Sequence, residues 1–398
     1  MQIESIEIRN YRLFRHVKMD HIPRLCVLVG ANGTGKTTLF DVFSFLKDAL
    51  SMNVGKAVSK RGGYREVASR GFGHEPIEIT LQFRMDITGK ERLVTYALKI
   101  GNDRDGRPIV EREVLRYKRA AYGAPYRFLD FSCGKGYAIT NEENFSKPDE
   151  ELDREEQELD SPDILAIKGL GQFDKFKAAS AFRLMIENWH ISDFHVSEAR
   201  PSQEYGVEEH LSTRGDNLPL VANYLFEHHR DRFDRVLDSM QRRVPGVSVV
   251  EPRQTEDGRL VLRFQDGSFK DPFIARYVSD GTIKMFAYLI LLNDPKPYPL
   301  LAVEEPENQL YPDLLPELAE EFRDYARRGG QVFISTHSPD FLNAVELQEI
   351  YCLRKENGFT SITSAHASPH LRALVEAGDL PGYLWKQGWF DQLHRNPG

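Results

Sequence analysis

The first 50 residues change from a strand-like to a helix-like pattern of apolar and polar positions. Ile3, Ile6 and Ile8 alternate with polar residues, which predicts a half-buried strand. Residues 24–30 form a short apolar run that ends in glycine, which is typical of a buried strand. From residue 36 to residue 50, apolar residues recur on one face of a helix. The sequence therefore predicts a strand, a glycine-rich loop and a helix in succession.

Strand-like and helix-like segments then follow one another through the middle of the chain. Strands are predicted at 76–84, 93–100, 108–117 and 260–264, and helices at 162–190 and 216–243. An acidic run, Asp149–Asp160, contains eight acidic residues. This run predicts a solvated loop or a flexible insertion, with a partner-docking or DNA-mimicking segment as the alternative.

The last third of the chain alternates quickly between apolar strands and helices. Helices are predicted at 281–292, 313–327 and 339–345, and strands at 299–304 and 331–335. Such alternation favours an α/β arrangement with a parallel sheet. The sequence shows no internal repeat and no heptad run long enough for a coiled-coil arm.

Composition narrows the class of protein. The 398 residues suffice for one large domain or two ordinary ones, and 41 % apolar residues allow a substantial core. A net charge of −8 argues against a chain built wholly around nucleic acid, but it is compatible with a local basic groove. Cys26, Cys133 and Cys352 lie far apart, so we expect buried thiols without a disulfide framework or zinc site.

The N-terminus and the apolar runs predict the location of the protein. No apolar run approaches the ~20 residues that a membrane span needs. The N-terminal segment alternates apolar and charged residues, which is typical of a strand and not of a signal peptide. We therefore expect a cytoplasmic protein with no membrane partner.

The loop after the buried strand at 24–30 has the chemistry of a phosphate site. Gly30-Ala-Asn-Gly-Thr-Gly-Lys36-Thr37 matches the pattern G-x-x-x-x-G-K-[ST] in full. The glycines let backbone N–H groups curl around phosphates, and the following helix adds the positive end of its dipole. Lys36 is expected to reach the β- and γ-phosphates, and the Thr37 hydroxyl to ligate Mg²⁺. The loop therefore predicts binding of a nucleoside triphosphate.

Two adjacent carboxylates end the predicted strand at 299–304. Glu304 is suited to hold Mg²⁺ through water, because this ion prefers a few hard oxygen ligands, and Glu305 can polarise an attacking water. His337 follows the predicted strand at 331–335 and can contact the γ-phosphate. Ligands bind at the carboxyl ends of strands in open α/β sheets, and one helix and one strand separate Glu305 from His337. The alternatives are a charged turn and a structural histidine.

A fourth element, Ser279-Asp280-Gly281, opens the predicted helix at 281–292. Ser279 suits the N-cap position, so the first interpretation is an ordinary helix cap. The second interpretation is a helix N-terminus offered to a phosphate. Sequence spacing alone does not separate the two.

In this order the four elements resemble the motifs of an ABC-type ATPase. They resemble the Walker A loop (Gly30–Thr37), the signature motif (Ser279–Gly281), the Walker B strand (Leu300–Glu304) with the catalytic Glu305, and the switch His337. Glu307–Leu310 then occupies the D-loop position. The family usually has Ser-Gly-Gly in the signature and Asp at the end of Walker B, where this chain has Ser-Asp-Gly and Glu304.

The chain start is similar to the SMC/RecF/OLD branch of this superfamily, in which an arginine at the position of Arg12 contacts nucleotide. The runs Glu-Glu-Pro-Glu-Asn and Ser-Thr-His-Ser-Pro, and the ending Gly378–Trp389, resemble stand-alone predicted AAA-type ATPases related to OLD proteins. Lys36 and Ser279 lie 243 residues apart, which argues against a transporter subunit. The segment after His337 is too short for the Toprim nuclease domain of OLD proteins.

The resemblance implies an α/β fold, namely a P-loop ABC-ATPase head with a mainly parallel core sheet, an antiparallel β subdomain and a helical insertion. The implied parts of a single head over 1–398 are a nucleotide-binding core (1–55 plus 270–365), the β subdomain (75–130), a variable, mainly helical insertion (131–269) and a C-terminal extension (366–398).

The resemblance also implies a site for ATP and Mg²⁺. Its catalytic residues are Glu305 and His337. The implied nucleotide-binding residues are Arg12, Gly30, Asn32, Gly33, Gly35, Lys36, Thr37, Thr38, Ser279, Asp280 and Gly281. Thr37 and Glu304 are implied as Mg²⁺ ligands. The lid glutamine of the family has two candidates here, Gln172 and Gln82, of which Gln172 is the expected further metal ligand.

Members of the family form head-to-tail dimers that hold two ATP molecules between Walker A of one subunit and the signature of the other. The implied function is a homodimeric, ATP-hydrolysing switch in DNA maintenance, DNA repair or anti-phage defence. A separate nuclease or effector protein, and DNA, are the further implied partners. The alternative is a slow-turnover ATP-binding scaffold that gates a partner protein without acting on DNA.

A basic stretch after the first helix bears on the DNA hypothesis. Lys56, Lys60, Arg61, Arg65 and Arg70 lie close together in the sequence around two glycines and a tyrosine. Such a stretch can track a phosphate backbone. The alternative is a solvated loop.

Overall fold

The structure, a computed structural model of the protein, describes residues 2–87, 90–117, 126–140, 153–269 and 271–394. The strands in these ranges are β1 (Gln2–Tyr11), β2 (Phe14–Asp20), β3 (Leu25–Val29), β4 (Ile77–Ile87), β5 (Lys90–Asn102), β6 (Pro108–Tyr117), β7 (Tyr126–Ser132), β8 (Lys135–Ile139), β9 (Arg154–Glu158), β10 (His190–Ser192), β11 (Gln203–Glu204), β12 (Val247–Gln254), β13 (Arg259–Asp266), β14 (Phe273–Ile274), β15 (Leu301–Glu304), β16 (Val332–Thr336), β17 (Ile350–Glu356) and β18 (Phe359–Ser364).

The helices lie between and after these strands, singly or in groups of two or three. They are α1 (Lys36–Ser51), α2 (Val54–Lys60), α3 (Tyr64–Val67), α4 (Ala166–Leu170), α5 (Lys177–Glu187), α6 (Val196–Ala199), α7 (Leu218–His228), α8 (Arg230–Arg243), α9 (Asp280–Leu292), α10 (Leu315–Arg327), α11 (Pro339–Leu342), α12 (Pro369–Glu376) and α13 (Pro381–Lys386).

The chain divides into two compact units. Unit 1 consists of Met1–Trp189, Leu347–Ala377 and Gly388–Gly398, and unit 2 consists of His190–Glu346 and Gly378–Gln387. The division cuts across the predicted core of 1–55 plus 270–365, because segments of that core belong to both units. Each unit combines helices with parallel and antiparallel strand pairs.

Unit 1 contains an antiparallel sheet with the strand order β2-β1-β4-β5-β6-β7-β8-β9. On β4, Ile77, Ile79, Leu81 and Phe83 are all buried, as the alternation of a one-sided strand requires. Helix α5 covers this face, where the ring of Phe182 stacks on that of Phe83 with centroids 4.7 Å apart. The sheet extends beyond the predicted bounds of 75–130, because β1, β2, β8 and β9 join it.

Unit 1 also contains the strand that leads to the glycine-rich loop. All five residues of β3 are buried, as the continuous apolar run predicts. β3 pairs in parallel with β17, which in turn pairs antiparallel with β18. After the loop, α1 buries an apolar face that includes Leu39, Val42, Phe43 and Leu46. The loop is therefore held between a buried strand and a buried helix.

Unit 2 is built on three short parallel strands in the order β10-β15-β16. Helix α9 is buried at every residue from Thr282 to Leu292, which is typical of a helix that is apolar on all sides. A small antiparallel sheet in the same unit has the order β11-β13-β12, with β14 paired to β13. The parallel strands position the polar residues that follow them.

Both long helices predicted in the middle of the chain are interrupted. The predicted helix at 162–190 is two helices, α4 and α5, separated by residues 171–176; Gly169 in α4 and Gly171 after it weaken helix propensity. The predicted helix at 216–243 is α7 followed by α8. His229 between them has φ −137° and ψ 54°, outside the helical region.

The acidic run at 149–160 is only partly a loop, so this prediction is wrong for the described part. Asp149 and the next three residues lie outside the described residues, but Arg154–Glu158 is strand β9. Its carboxylates have cationic partners, with Glu155 paired to Lys175 at 2.6 Å and Glu158 to Lys135 at 2.7 Å. The insertion at 131–269 is likewise not mainly helical throughout, because it contains β8, β9, β12 and β13 as well as helices.

The prediction of buried thiols is correct for two cysteines and wrong for the third. Cys26 and Cys352 are buried, whereas Cys133 is exposed. Cys133 and Gly134 form the two-residue turn between β7 and β8, with φ of 50° and 82°. Two positive φ values are the requirement of a type I′ hairpin turn, and such a turn lies at the surface. Within the described ranges, no helix has the length and apolar character to cross a membrane.

A buried carboxylate joins the antiparallel sheet of unit 1 to the helix that follows it. Glu113 on β6 is completely buried and accepts hydrogen bonds from the N–H groups of Ala166 and Ile167 at the start of α4 and from the Tyr96 hydroxyl. Burial raises the pKa of Glu113 to about 7, although these three donors oppose the shift. Folding therefore extends the pH range over which Glu113 stays protonated.

We expect Glu113→Gln to change how stability depends on pH. Because the folded-state pKa of Glu113 lies above its unfolded value, the wild type loses stability as pH rises from about 4.5 to 7. The difference between the unfolding free energies of wild type and variant should therefore fall as pH rises over this window, by at most about 3 kcal/mol. Denaturant titrations at pH 5 and pH 8 measure it. Glutamine also loses a hydrogen bond, but that loss is the same at both pH values and does not affect the comparison between them. An equal difference between wild type and variant at pH 5 and pH 8 would contradict the raised pKa of Glu113.

Candidate functional site

The backbone path of the glycine-rich loop explains its glycines. β3 ends at Val29 and α1 begins at Lys36, and Gly33 and Gly35 between them have φ of 76° and 100°. These values favour glycine because a Cβ makes them strained. Gly30 has a different reason, since a Cβ there would lie 2.6 Å from the carbonyl oxygen of Leu353. The motif is therefore a requirement of this loop geometry.

The side chains of the loop divide into buried and exposed ones. Lys36 is buried, and its ammonium donates to the carbonyl oxygens of Gly30 at 2.7 Å and Ala31 at 3.3 Å. Asn32, Gly33 and Thr37 are exposed, whereas Thr38 is buried in the first turn of α1. The predicted phosphate-binding cation therefore lies against its own loop, and Thr37, the predicted Mg²⁺ ligand, is an exposed residue.

Arg12 lies beside the helix that follows the loop. It occupies the turn between β1 and β2 with φ of 47°, and its N–H donates to the carbonyl oxygen of Val67 at 2.7 Å. Its guanidinium pairs at 3.2 Å with Asp41, which lies one helical turn after Thr37. Asp41 also accepts a hydrogen bond from the Tyr11 hydroxyl at 2.7 Å. Arg12 is thus held on the helix that carries Thr37, while its contact with nucleotide stays a prediction.

The two glutamine candidates lie in different settings. Gln172 follows α4 and is exposed, with its amide donating to the carbonyl oxygen of Lys168 at 3.4 Å. Gln82 lies within β4, opposite Ser5 of β1 and Thr95 of β5. Among the described residues, neither side chain hydrogen-bonds to the glycine-rich loop. The role of Gln172 as a metal ligand stays a prediction.

Parallel pairing in unit 2 brings the predicted carboxylates next to the strand end that carries His337. Glu304 at the end of β15 stands opposite Ser335 of β16, and the Glu305 N–H donates to the Ser335 carbonyl oxygen at 2.9 Å. Glu305 has φ of 44°, which is uncommon for a residue with a Cβ. Such backbone strain is often found at functional sites.

His337 and Glu305 contact one another directly. The Nδ1 atom of His337 lies 3.2 Å from Oε1 of Glu305, and both side chains are partly open to solvent. The other oxygen, Oε2, accepts a hydrogen bond from the Asn308 amide at 2.9 Å. The structure therefore brings together the two residues that the sequence proposed as catalytic, and it adds Asn308 as a partner of the carboxylate.

Two further charged residues lie close to this pair, namely Glu307, which the sequence placed only in the D-loop position, and Lys284, which it did not single out. Glu307 accepts a hydrogen bond from the Thr336 hydroxyl at 2.6 Å and one from the His337 N–H at 3.1 Å. Lys284 on α9 donates from Nζ to the Asn308 carbonyl oxygen at 2.7 Å. Burial lowers the pKa of Lys284 to about 8, and the charges of Glu307 and Glu305 oppose that shift. A sequence signal existed for Lys284, which is the one lysine in an otherwise apolar helix.

A cavity of about 650 Å³ opens at these residues. Its lining is mostly polar and includes both members of the carboxylate pair. The lining residues are Ser192, Asp193, Phe194, Lys284, Tyr288, Glu304, Glu305, Asn308 and Gln309. Such a polar cavity suits water and a charged ligand better than an apolar molecule.

The turn at Ser279 is both a helix cap and an exposed surface. The Ser279 hydroxyl accepts a hydrogen bond from the Thr282 N–H at 3.2 Å, which confirms its N-cap position. Ser279 and Asp280 are nevertheless exposed, and Asp280 forms an ion pair with Arg200. Gly281 permits a close approach, because a Cβ there would lie 2.8 Å from the Gln309 carbonyl oxygen. The signature turn is therefore packed against the loop that follows Glu305.

The basic stretch of unit 1 is mostly helical and three of its five cations are paired, so the alternative of a solvated loop is wrong. Arg61 is almost fully buried, with Nε 2.8 Å from Asp41 and Nη1 2.8 Å from Asp48. Lys60 also pairs with Asp48, and Arg70 pairs with Glu66. Charges that already face carboxylates attract a phosphate backbone less. Lys56 and Arg65 are exposed.

Comparisons with known proteins agree with this arrangement. The family model described as "AAA domain, putative AbiEii toxin, Type IV TA system" matches residues 25–343. The fold is similar to a solved structure described as the SmcHead bound to the C-winged helix domain of ScpA, with a TM-score of 0.51 and 13 % identity. That match covers 91 % of this chain and 98 % of the other.

A segment of 46 residues is 41 % identical to the DNA replication and repair protein RecF of Heliobacterium modesticaldum. It spans 12 % of this chain and 12 % of that relative. The family match covers most of the chain and includes the glycine-rich loop, Ser279, the two carboxylates and His337. The resemblance to ABC-type ATPases of the SMC/RecF branch is confirmed, and the chain belongs to this AAA-domain family.

Proposed function

We propose that this protein binds ATP with Mg²⁺, hydrolyses it, and uses the cycle to close and open a head-to-tail homodimer. The observation that carries the proposal is the contact of Glu305 with His337 at the ends of neighbouring parallel strands. A carboxylate and an imidazole in contact, next to a polar cavity, can orient and deprotonate a water molecule. Membership of the AAA-domain family supports ATP as the substrate.

Each residue has a distinct role in this proposal. The N–H groups of residues 30–37 and the Lys36 ammonium bind the phosphates. Glu305 accepts the proton of the attacking water, and His337 holds the water or the γ-phosphate in place. The positive φ of Glu305 turns its carboxylate towards His337, so the reacting groups are positioned before substrate arrives.

The oxygen donors suit Mg²⁺. Thr37 is an exposed residue and Glu304 a partly exposed one, and their side-chain oxygens are hard ligands of the kind this ion prefers. Among the described residues, no cluster of three or more His, Cys, Asp or Glu residues could hold a metal ion. When bound, Mg²⁺ neutralises charge on the β- and γ-phosphates.

Ser279 is proposed to act on the nucleotide of a second copy of the chain. It is exposed at the N-terminus of a helix of 13 residues, where N–H groups and the helix dipole favour an anion. A contact made only in the closed dimer would shift the population towards that state.

We propose two alternative cellular roles. The first is a switch in DNA maintenance, DNA repair or anti-phage defence, acting with DNA and a separate nuclease or effector protein. The similarity of one segment to a DNA replication and repair protein supports it. The second is a slow-turnover scaffold that gates a partner protein without acting on DNA. The internal pairing of Lys60, Arg61 and Arg70 favours this second role.

We expect Glu305→Gln to bind ATP normally but to hydrolyse it about 100-fold more slowly, because glutamine cannot accept the proton of water. Dimers should then accumulate with ATP. Phosphate release and size-exclusion chromatography measure the two effects. Lys36→Ala, the control, should lose ATP binding and dimers together. Hydrolysis at the wild-type rate by Glu305→Gln would show that another group activates the water.

Mixing two inactive variants tests the head-to-tail geometry. Ser279→Arg should block the signature surface, and Lys36→Ala should empty the phosphate loop, so each alone should be inactive. In an equal mixture half of the random encounters bring the two variants together, and each such pair has one intact site of two. We expect roughly a quarter of the wild-type rate to return if subunits exchange freely and the sites act independently. A mixture as inactive as its components would argue against sites shared between copies.

DNA-stimulated turnover separates the two cellular roles. The switch acting on DNA predicts faster ATP hydrolysis with duplex DNA, and a stimulation that weakens as salt rises. Replacing Lys56 and Arg65 by Ala should reduce this stimulation, whereas the basal rate should not change. Equal turnover with and without DNA over a range of salt would favour the scaffold.

A further inference from the structure

Two buried charges lie beneath Glu305 and His337. Glu307 is 8 % exposed and Lys284 is 6 % exposed. Removing a charge from water destabilises a protein unless other groups compensate. These two charges are close enough for Glu307 to influence the titration of Lys284, but no ion pair within 4.0 Å joins them in the described structure. Their partners therefore matter more than their mutual attraction.

Glu307 holds the strand end that carries the histidine. Its Oε1 atom accepts hydrogen bonds from the Thr336 hydroxyl and from the His337 N–H. Nδ1 of His337 lies 3.9 Å from the same oxygen. The second oxygen of Glu307 is buried and has no hydrogen-bond partner among the described residues. One carboxylate oxygen thus holds the backbone of His337 and the side chain of Thr336. Its negative charge strengthens both hydrogen bonds.

Lys284 holds the loop that carries the carboxylate. Its ammonium donates to the Asn308 carbonyl oxygen, and the Asn308 side chain donates to Oε2 of Glu305. The same loop approaches α9 a second time, where Gly281 lies against the Gln309 carbonyl oxygen. Helix α9 is therefore joined to the loop at two points within one helical turn.

A plain structural role is the alternative for such buried charges. A purely structural pair would be expected to bond to each other, and its removal would change stability alone. Here each charge instead bonds to a backbone group within three residues of Glu305 or at His337 itself. Such supporting contacts set the orientation of reacting groups. This orientation matters because a displacement of about 1 Å can lower the rate ~100-fold.

We propose that Glu307 and Lys284 are positioning residues, which hold His337 and Glu305 in register with the signature turn at the start of α9. The inference rests on the proposed function and adds a connection between the signature turn and the catalytic carboxylate. Lys284 lies on the helix that begins at the Ser279 turn. Binding of a phosphate at that turn would therefore affect the position of Glu305 through Lys284 and Asn308. Hydrolysis would then depend on engagement of the second copy.

Four variants test the proposal. Glu307→Ala removes both hydrogen bonds, so kcat should fall at least 10-fold while the Kd for ATP and the ATP-dependent dimer stay unchanged. Glu307→Gln should recover most of the rate, because its carbonyl oxygen accepts the same two donors. Lys284→Met should lower kcat in the same way, and Lys284→Arg, which keeps a donor and a charge, should restore it. Phosphate release, ATP titration and thermal unfolding measure these effects.

Controls separate positioning from stability and from the wider proposal. Glu113→Gln changes another buried carboxylate that accepts backbone N–H groups, and it should leave kcat unchanged. If Glu307→Ala unfolds, the pair Lys284→Met and Lys284→Arg decides. The inference would be overturned if Glu307→Ala or Lys284→Met kept the wild-type kcat. It would also be overturned if Glu307→Gln and Lys284→Arg failed to recover the lost rate. If Glu305→Gln itself hydrolyses ATP normally, the proposed function fails first.

Discussion

The parallel pairing of β15 with β16 is the interaction on which the carboxylate–histidine pair depends. Val303 stands opposite Ile334, and Glu304 opposite Ser335, so both chains leave the sheet at the same edge. A slip of one residue would turn every following side chain to the other face. All of β16 and the first three residues of β15 are buried, so a slip would press side chains of the wrong size against their packed neighbours. Ordinary hydrophobic packing therefore fixes the distance between Glu305 and His337.

Local constraints made the glycine-rich loop and the signature cap predictable from sequence. The run at β3, the glycines at 33 and 35, and the apolar face of α1 all lie within 30 residues, and each follows from backbone or packing rules. The N-cap at Ser279 was equally local. The pairing of His337 with Glu305 was reached through the alternation of strands and helices, which implies neighbouring parallel strands.

Contacts between distant segments could not be predicted in this way. Lys284 bonds to a carbonyl group 24 residues away, and nothing in either segment specifies that bond. Arg61 looked like a solvent-facing cation because its partners, Asp41 and Asp48, lie on a different helix. β9 is rich in glutamate, and it forms because β8 offers a free edge. In each case tertiary contacts override the local preference.

The acidic strand β9 also has a consequence for how copies of the chain can meet. Among the described strands it is the last one on its side of the antiparallel sheet of unit 1, and three of its five residues are glutamates. An open strand edge invites the edge of another molecule, and charges on it are a common protection against uncontrolled growth into fibres or aggregates. The largest sheet of the molecule is therefore protected at this end against self-association, which leaves reversible assembly to other surfaces.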